Sequence, residues 1–259
     1  MTSVSDETLG SFDARLLRLF DFGRSRVVVC FPHAGSGISA FRCWPEALSG
    51  FADSMLVQLK GREDRVGESV ADDTVADVAA TIAAELARSR YEQVVLVGHS
   101  MGATLAWAVA ELAWRLDRRK MTVVVSSQLP PSSAVADTAA ADWDERGRLV
   151  RSMAISYLPV ESEVRALLAG TLDADLSWIA REFPQLRHNV LPIDVHAISA
   201  HDDPLVDVRA MANWALHTSA GFQLSLIEGG HLHLLEQPEA LRGIVIDVLE
   251  PEATEGRLL

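Results

Sequence analysis

Short apolar runs rich in β-branched residues recur along the chain, and their recurrence constrains the fold more than any other feature. They are Val27 to Phe31 (VVVCF), Met55 to Leu59 (MLVQL), Val94 to Val97 (VVLV), Thr122 to Ser126 (TVVVS), Val195 to Ala200 (VHAISA) and Phe222 to Ile227 (FQLSLI). Each is short and lacks polar alternation, as expected of strands covered on both faces. Helical patterns separate them at Thr74 to Arg88, Met101 to Leu116, Asp207 to His217 and Pro238 to Leu249, the last with its proline near the start. Strands alternating with helices predict an α/β fold: a mostly parallel twisted sheet, helices on both faces, and right-handed crossovers.

The alternation breaks once, between about 128 and 191. Pro130-Pro131 opens this region, and two helix-like stretches follow, separated by Tyr157-Leu158-Pro159. Its length exceeds the usual α/β connection several-fold, and long insertions at strand C-termini tend to be lids or specificity elements. Residues 1–259 are therefore read as a single domain with a helical lid inserted at about 128–191. No internal repeat is visible, and Glu250 to Leu259 reads as a frayed end.

Composition narrows the function. Hydrophobic residues are 49% and charged residues 23%, which argues for a packed body over disorder. A formal net charge of -13 argues against nucleic acid or an anionic membrane surface as the main partner. The two cysteines, Cys30 and Cys43, do not make a disulfide framework, so a reducing cytoplasm fits best. The N-terminal stretch MTSVSDETLGSFDAR has no apolar segment of a secretory signal, and no apolar run approaches membrane-spanning length.

Chemistry enters at Gly98-His99-Ser100-Met101-Gly102, a G-x-S-x-G pentapeptide preceded by VVLV and followed by a good helix. In that context the serine sits on a sharp strand-to-helix turn, and glycines on either side remove Cβ atoms that would collide with neighbouring backbone. A serine needs a general base to become a nucleophile, and the base needs an orienting carboxylate. Both follow in the order Ser, Asp, His that this motif requires. His201-Asp202-Asp203-Pro204 ends one strand, and Glu228-Gly229-Gly230-His231-Leu232-His233 ends the next. His231, directly after the glycine pair, is preferred over His233 as base, with His233 read as a packing or lid-contact residue. Asp203 is preferred over Asp202 as the acid.

An oxyanion must also be held. The backbone N–H of Met101 is one expected donor. Ala34, in the loop Phe31-Pro32-His33-Ala34-Gly35-Ser36-Gly37, is the other. That loop matches neither glycine-rich phosphate-binding pattern. His231-x-His233 resembles a metal-ligand pair, but no third ligand stands at suitable spacing nearby. No metal and no cofactor are expected.

With these residues in place the chain resembles the type II thioesterases, the stand-alone editing α/β hydrolases of polyketide and nonribosomal peptide assembly lines. The resemblance is carried, in order, by FPHAGSGISAFRCW (Phe31 to Trp44), KGREDR (Lys60 to Arg65), GHSMGATLAW (Gly98 to Trp107), HDDPLV (His201 to Val206) with Trp214, and GGHLHLL (Gly229 to Leu235). It spans about Val27 to Leu249. It implies an α/β-hydrolase fold, a Ser100, Asp203 and His231 triad, an oxyanion hole at Met101 and Ala34, and a helical lid over an acyl pocket. The implied activity is hydrolysis of acyl thioesters on the phosphopantetheine arms of acyl- or peptidyl-carrier proteins. Three departures from the family pattern are visible: Ala200 replaces a glycine before the acid segment, Leu59-Lys60 replaces Tyr-Pro, and GGHLHL replaces GGHFFL. The alternatives are a carboxylesterase or lipase on oxygen esters, a product-releasing thioesterase or acyltransferase, and a non-catalytic acyl-binding protein on the same scaffold.

Arg62 and Arg65, with His33, are the candidate substrate- or carrier-binding residues. The arginines have two readings. They dock an acidic carrier or the phosphate of its arm, or, in the preferred reading, they join Glu63 and Asp64 in an ion-pair network that fixes the loop. The chain's own negative charge predicts weak, transient carrier binding, by a monomer.

Overall fold

The structure, a computed structural model, describes residues 15–130, 147–153, 162–186 and 189–250. The remainder of the expected insertion and both ends of the chain, including the expected frayed tail beyond Glu250, lie outside the described residues. Strand β4 (Gln93–His99), buried along its whole length, lies at the centre of the sheet. It pairs in parallel with β2 (Arg26–Phe31) on one side and β5 (Lys120–Ser126) on the other. With β1 (Leu17–Phe20), β3 (Asp53–Val57), β6 (Asp194–Ala200) and β7 (Phe222–Ile227), the 7-stranded sheet has the order β1-β3-β2-β4-β5-β6-β7. Every neighbouring pair is parallel except β1 with β3.

Because side chains alternate along a strand, β4 feeds two separate cores. Val94 and Leu96 join a cluster built with α2 (Val75–Arg88) and α3 (Met101–Leu116). Val95 and Val97 join the opposite cluster, with Trp44 and Leu48 of α1 (Trp44–Leu48) and Leu241, Val245 and Leu249 of α7 (Pro238–Leu249). Both faces are covered, which accounts for the unbroken apolar runs of the sequence.

The chain runs from β2 outward to β3 and then returns to place β4 on the other side of β2. Loops leaving β2 and β4 therefore diverge, and a crevice opens between them at the strand C-termini, where open α/β sheets carry their sites. Helix α4 (147–153) and helix α5 (Ser162–Glu182) belong to the region expected to be inserted. Hydrogen bonds fasten α5 to the body, among them Thr171 Oγ1 donating to Gly61 O at 3.1 Å, Trp178 Nε1 to Asp73 O at 2.8 Å, and Val75 N to Glu182 Oε2 at 3.2 Å.

Strands expected from the runs appear within a few residues, and the helices at 101–116 and 238–249 match their expected bounds. Two differences stand out. Strand β1 escaped the sequence reading because it is a four-residue antiparallel edge with an arginine inside it. The helix expected over Asp207 to His217 is a four-residue α6 (Val208–Met211) continuing as 3-10 turns to His217.

Helix α2 begins on a reciprocal cap: Thr74 Oγ1 accepts from Asp77 N at 3.1 Å, while Asp77 Oδ2 accepts from Thr74 N at 2.9 Å. Thr74→Ala leaves a first-turn N–H unpaired and is expected to lower unfolding free energy by about 1 kcal/mol. Urea denaturation of the two proteins checks this; identical midpoints would contradict it.

Candidate active site

Ser100 joins β4 to α3 with φ 53 and ψ -121, a left-handed conformation that a side-chain-bearing residue adopts only when its surroundings impose it. The surroundings are tight. A Cβ added at Gly98 would lie 2.2 Å from Gly102 O, and one added at Gly102 would lie 2.1 Å from Phe31 O. The two glycines are required because α3 sits directly against β4 and the end of β2. The turn is held further by Ser100 N donating to Ser126 O at 2.8 Å. The Ser100 side chain is left partly exposed at the top of the sheet.

Two loops from the far half of the chain meet it there. His201 N donates to Ile227 O and Asp202 N to Gly229 O, both at 3.0 Å, so the loops after β6 and β7 are stitched by their backbones. His231 then reaches Ser100, with Nε2 3.0 Å from Oγ. Its Nδ1 lies 2.9 Å from Asp203 Oδ2 and 3.1 Å from Oδ1. A carboxylate can only accept, so Nδ1 carries the proton and Nε2 presents its lone pair to the serine hydroxyl. Asp203 also accepts from Leu205 N at 2.9 Å. Burial works against its charge, but the hydrogen bonds from His231 and Leu205 outweigh it and hold the carboxyl below the usual value. Asp202, one residue earlier, is exposed.

His233 has a different setting from His231. Its Nδ1 donates to Gly230 O at 3.2 Å, which leaves Nε2 to accept the Ser126 hydroxyl at 2.7 Å. Ser126 Oγ in turn accepts from His99 Nδ1 at 3.0 Å. The His99 ring packs against both His231 and His233, at centroid distances of 5.4 and 4.8 Å. His233 thus packs beneath the site, as one half of the sequence reading expected, and its contacts are with the sheet ends. Burial pushes the His233 imidazole down to about 4 and holds His99 well below the ordinary imidazole value, so both are neutral near pH 7.

Met101 is the first residue of α3, where a backbone N–H has no carbonyl one turn earlier to bond. Ala34 lies in the loop after β2 and lines, with His33, Ser100, Val150, Met153, His231 and Leu232, a pocket of about 20 Å³. His33 Nδ1 donates to Ala34 O at 2.9 Å. Burial, with the Arg62 charge nearby, pushes its imidazole down to about 4. His33 therefore meets the pocket as a neutral ring.

Arg62 and Arg65 are not arranged to dock a carrier. Their side chains are 4% and 1% exposed and already paired, Arg62 with Asp175 on α5 and Arg65 with Glu68. A buried guanidinium engaged by a carboxylate has no face left for a phosphate at the surface. The partners also differ from the expected Glu63 and Asp64: Glu63 accepts from Ile38 N and Ser39 N, and Asp64 pairs with Arg18. Asp175 had no sequence signal, since it is an ordinary acidic residue within a long helix. Among the described residues no group of three or more His, Cys, Asp or Glu side chains could hold a metal ion, and no helix is long and apolar enough to cross a membrane.

Comparison with known proteins bears on the whole of this arrangement. The family model of the thioesterase domain matches residues 26–249. A probable cadicidin biosynthesis thioesterase of Streptomyces griseus is 29% identical, over 92% of this chain and 67% of its own. Thioesterase PikA5 of Streptomyces venezuelae is 29% identical, over 81% of this chain and 76% of its own. Among solved structures, the type II thioesterase BorB from the borrelidin biosynthetic cluster aligns with a TM-score of 0.71 at 25% identity, covering 90% of this chain and 97% of its own.

The neutral histidines under the site carry a pH signature. From the ordinary imidazole value of 6.5 down to about 4, the unfolded chain binds protons at His33, His99 and His233 that the folded chain refuses. Stability therefore rises with pH across that window and is lost as pH falls through it. The thermal midpoint should drop steadily from pH 7 toward pH 4.5, and less steeply in His233→Phe, which removes one such proton. A midpoint independent of pH, or an unchanged slope in the variant, would contradict this.

Proposed function

The chain belongs to the thioesterase family and is a hydrolase of thioester bonds, and on that premise we propose that it is a type II thioesterase. Its substrates are acyl groups stalled on the phosphopantetheine arms of acyl- or peptidyl-carrier proteins in polyketide or nonribosomal peptide synthesis. The observation that carries the chemistry is the hydrogen-bonded chain from Ser100 Oγ through His231 to Asp203, with 3.0 Å at the first link and 2.9 Å at the second. Support for the substrate class comes from two of the relatives, one named for cadicidin biosynthesis and the other for the borrelidin biosynthetic cluster.

The reaction runs in two halves. As Ser100 Oγ attacks the thioester carbonyl, its proton passes to His231 Nε2, and the imidazolium so formed is stabilised by the Asp203 carboxylate at Nδ1. The carbonyl oxygen becomes an oxyanion, held by the N–H groups of Met101 and Ala34. Collapse breaks the C–S bond, and His231 returns its proton to the departing pantetheine sulfur. In the second half a water gives its proton to His231 as it attacks the acyl-serine. The C–Oγ bond then breaks, Ser100 is reprotonated, and the free acid leaves.

Access to the serine is the remaining requirement. The pocket beside Ser100 has a volume of about 20 Å³, room for about one water molecule. Val150 and Met153 of α4 line it. An acyl chain enters only when α4 is displaced, so α4 and α5 act as a helical lid within one domain. The carrier docks transiently to a monomer with negative charge on both partners, which suits an enzyme that samples many carriers.

A panel of acyl groups, each presented on a carrier protein and on coenzyme A, tests the assignment. Wild type should favour the carrier-bound thioesters over oxygen esters of the same acyl groups, and Ser100→Ala should lose about ten-thousand-fold or more in kcat. Turnover by Ser100→Ala at the wild-type rate, or a preference for oxygen esters, would refute it.

A further inference from the structure

We propose that Arg62 and Asp175, a buried ion pair 113 residues apart in sequence, are positioning residues that aim the Ala34 N–H at the oxyanion. The inference rests on the thioesterase mechanism above and adds to it a physical link between helix α5 and the oxyanion loop.

The link is a continuous series of hydrogen bonds. Asp175 Oδ2 accepts from Arg62 Nη1 at 2.7 Å and from Gly35 N at 2.8 Å, while Oδ1 accepts from Arg62 Nη2. Arg62 Nη1 also donates to Ser36 O at 2.9 Å, and its Nε to Lys60 O at 3.1 Å. Ser36, held in this way, donates twice to His33 O, from N at 3.1 Å and from Oγ at 2.8 Å. The peptide between His33 and Ala34 is trans, and its C=O and N–H point in opposite directions. Once Ser36 captures the carbonyl on one side, the Ala34 N–H is directed to the other. The ion pair therefore sets the orientation of the donor two bonds of the series away, and touches neither substrate nor Ser100.

Two further features fit a loop whose shape is imposed from outside. Glu63, next to Arg62, holds φ at 47 while its carboxylate accepts from Ile38 N and Ser39 N at 3.1 and 3.0 Å. That carboxylate comes so close to Gly37 that a Cβ there would lie 2.5 Å from Glu63 Cδ. A non-glycine residue keeps such a backbone conformation only where its surroundings over-determine it. The Gly61 to Arg65 segment is thus a clamp on the Pro32 to Ser39 loop, which explains why the two motifs occur together in this chain. The clamp has α5 as its far jaw. A displacement of α5 at Asp175 releases Gly35 N–H and the Arg62 grip together.

The burial cost of two charges is large, and such a pair is not by itself a stabilising device. Breaking it through one partner leaves the other charge uncompensated, so Asp175→Asn tests the role only if it folds. Arg62→Lys keeps a cation beside Asp175 but loses the planar fork that reaches Ser36 O. Ser36→Ala removes one hydroxyl from a half-buried loop and tests the last link.

The experiment measures hydrolysis of an acyl N-acetylcysteamine thioester and inhibition by a trifluoromethyl ketone with the same acyl chain. Ser100 Oγ adds reversibly to that ketone, its proton passing to His231, and the resulting oxyanion occupies the same hole. Misaiming one donor is expected to lower kcat about 10- to 100-fold in Asp175→Asn and Arg62→Lys, with KM changed less than about threefold. Ser36→Ala should lose about 3- to 10-fold. In every folded variant the inhibition constant should rise by the same factor as kcat/KM falls. Loss of kcat with the inhibition constant unmoved, or Ser36→Ala and every other folded variant within twofold of wild type, would overturn the inference and leave the thioesterase reading intact. A wild type that neither turns over the thioester nor binds the ketone would overturn both.

Discussion

The site depends on how closely two backbones approach where β4 turns into α3. Gly98 and Gly102 have no side chains because none would fit: added Cβ atoms would lie 2.2 Å from Gly102 O and 2.1 Å from Phe31 O. That contact forces the chain through Ser100 at φ 53 and lifts the hydroxyl above the sheet. It also brings the end of β2, and with it the loop holding Ala34, against the first turn of α3, where Met101 N–H is free of helical bonding. The proposed nucleophile and oxyanion donors are thus brought together by one steric constraint. Every other group in the proposed mechanism is carried to that point by a separate strand.

The later strands deliver their residues with a different device. Backbone bonds between Asp202 and Gly229 join the acid and histidine loops before either side chain is considered, and the Asp203 to His231 contact closes within that frame. Below it, His99, Ser126 and His233 form a neutral hydrogen-bonded layer joining the ends of β4 and β5 to the loop after β7. Placing neutral rings there avoids a second buried charge next to the imidazolium that the proposed mechanism forms.

Much of this was legible in the sequence, and the reason is local. A buried parallel strand must be apolar on both faces, so the central strands are visible as runs. The elbow is visible because its glycines answer a close contact formed within a few residues. Asp203 and His231 are legible as a pair because they stand at the ends of strands, beside proline and a glycine pair. What sequence reading did not find is what depends on distant parts of the chain. The short edge strand β1 has too few apolar residues to stand out. Arg62 could be assigned neighbours in its own motif, yet its partner is Asp175, on a helix whose position over the loop no local pattern encodes. The glycine pair directly before His231 distinguishes it from His233, and only the packing reveals the His233 bond to Ser126.

The central claim is that Ser100, and no other group, receives the acyl chain with the help of His231. Fluorophosphonate labelling followed by peptide mass spectrometry tests it directly, with residual thioesterase activity read on the same samples. The account predicts one adduct per chain, located on Ser100, activity lost in proportion to labelling, and little labelling in His231→Ala. Activity that persists in fully labelled protein, or an adduct at any other residue accompanying its loss, would contradict it.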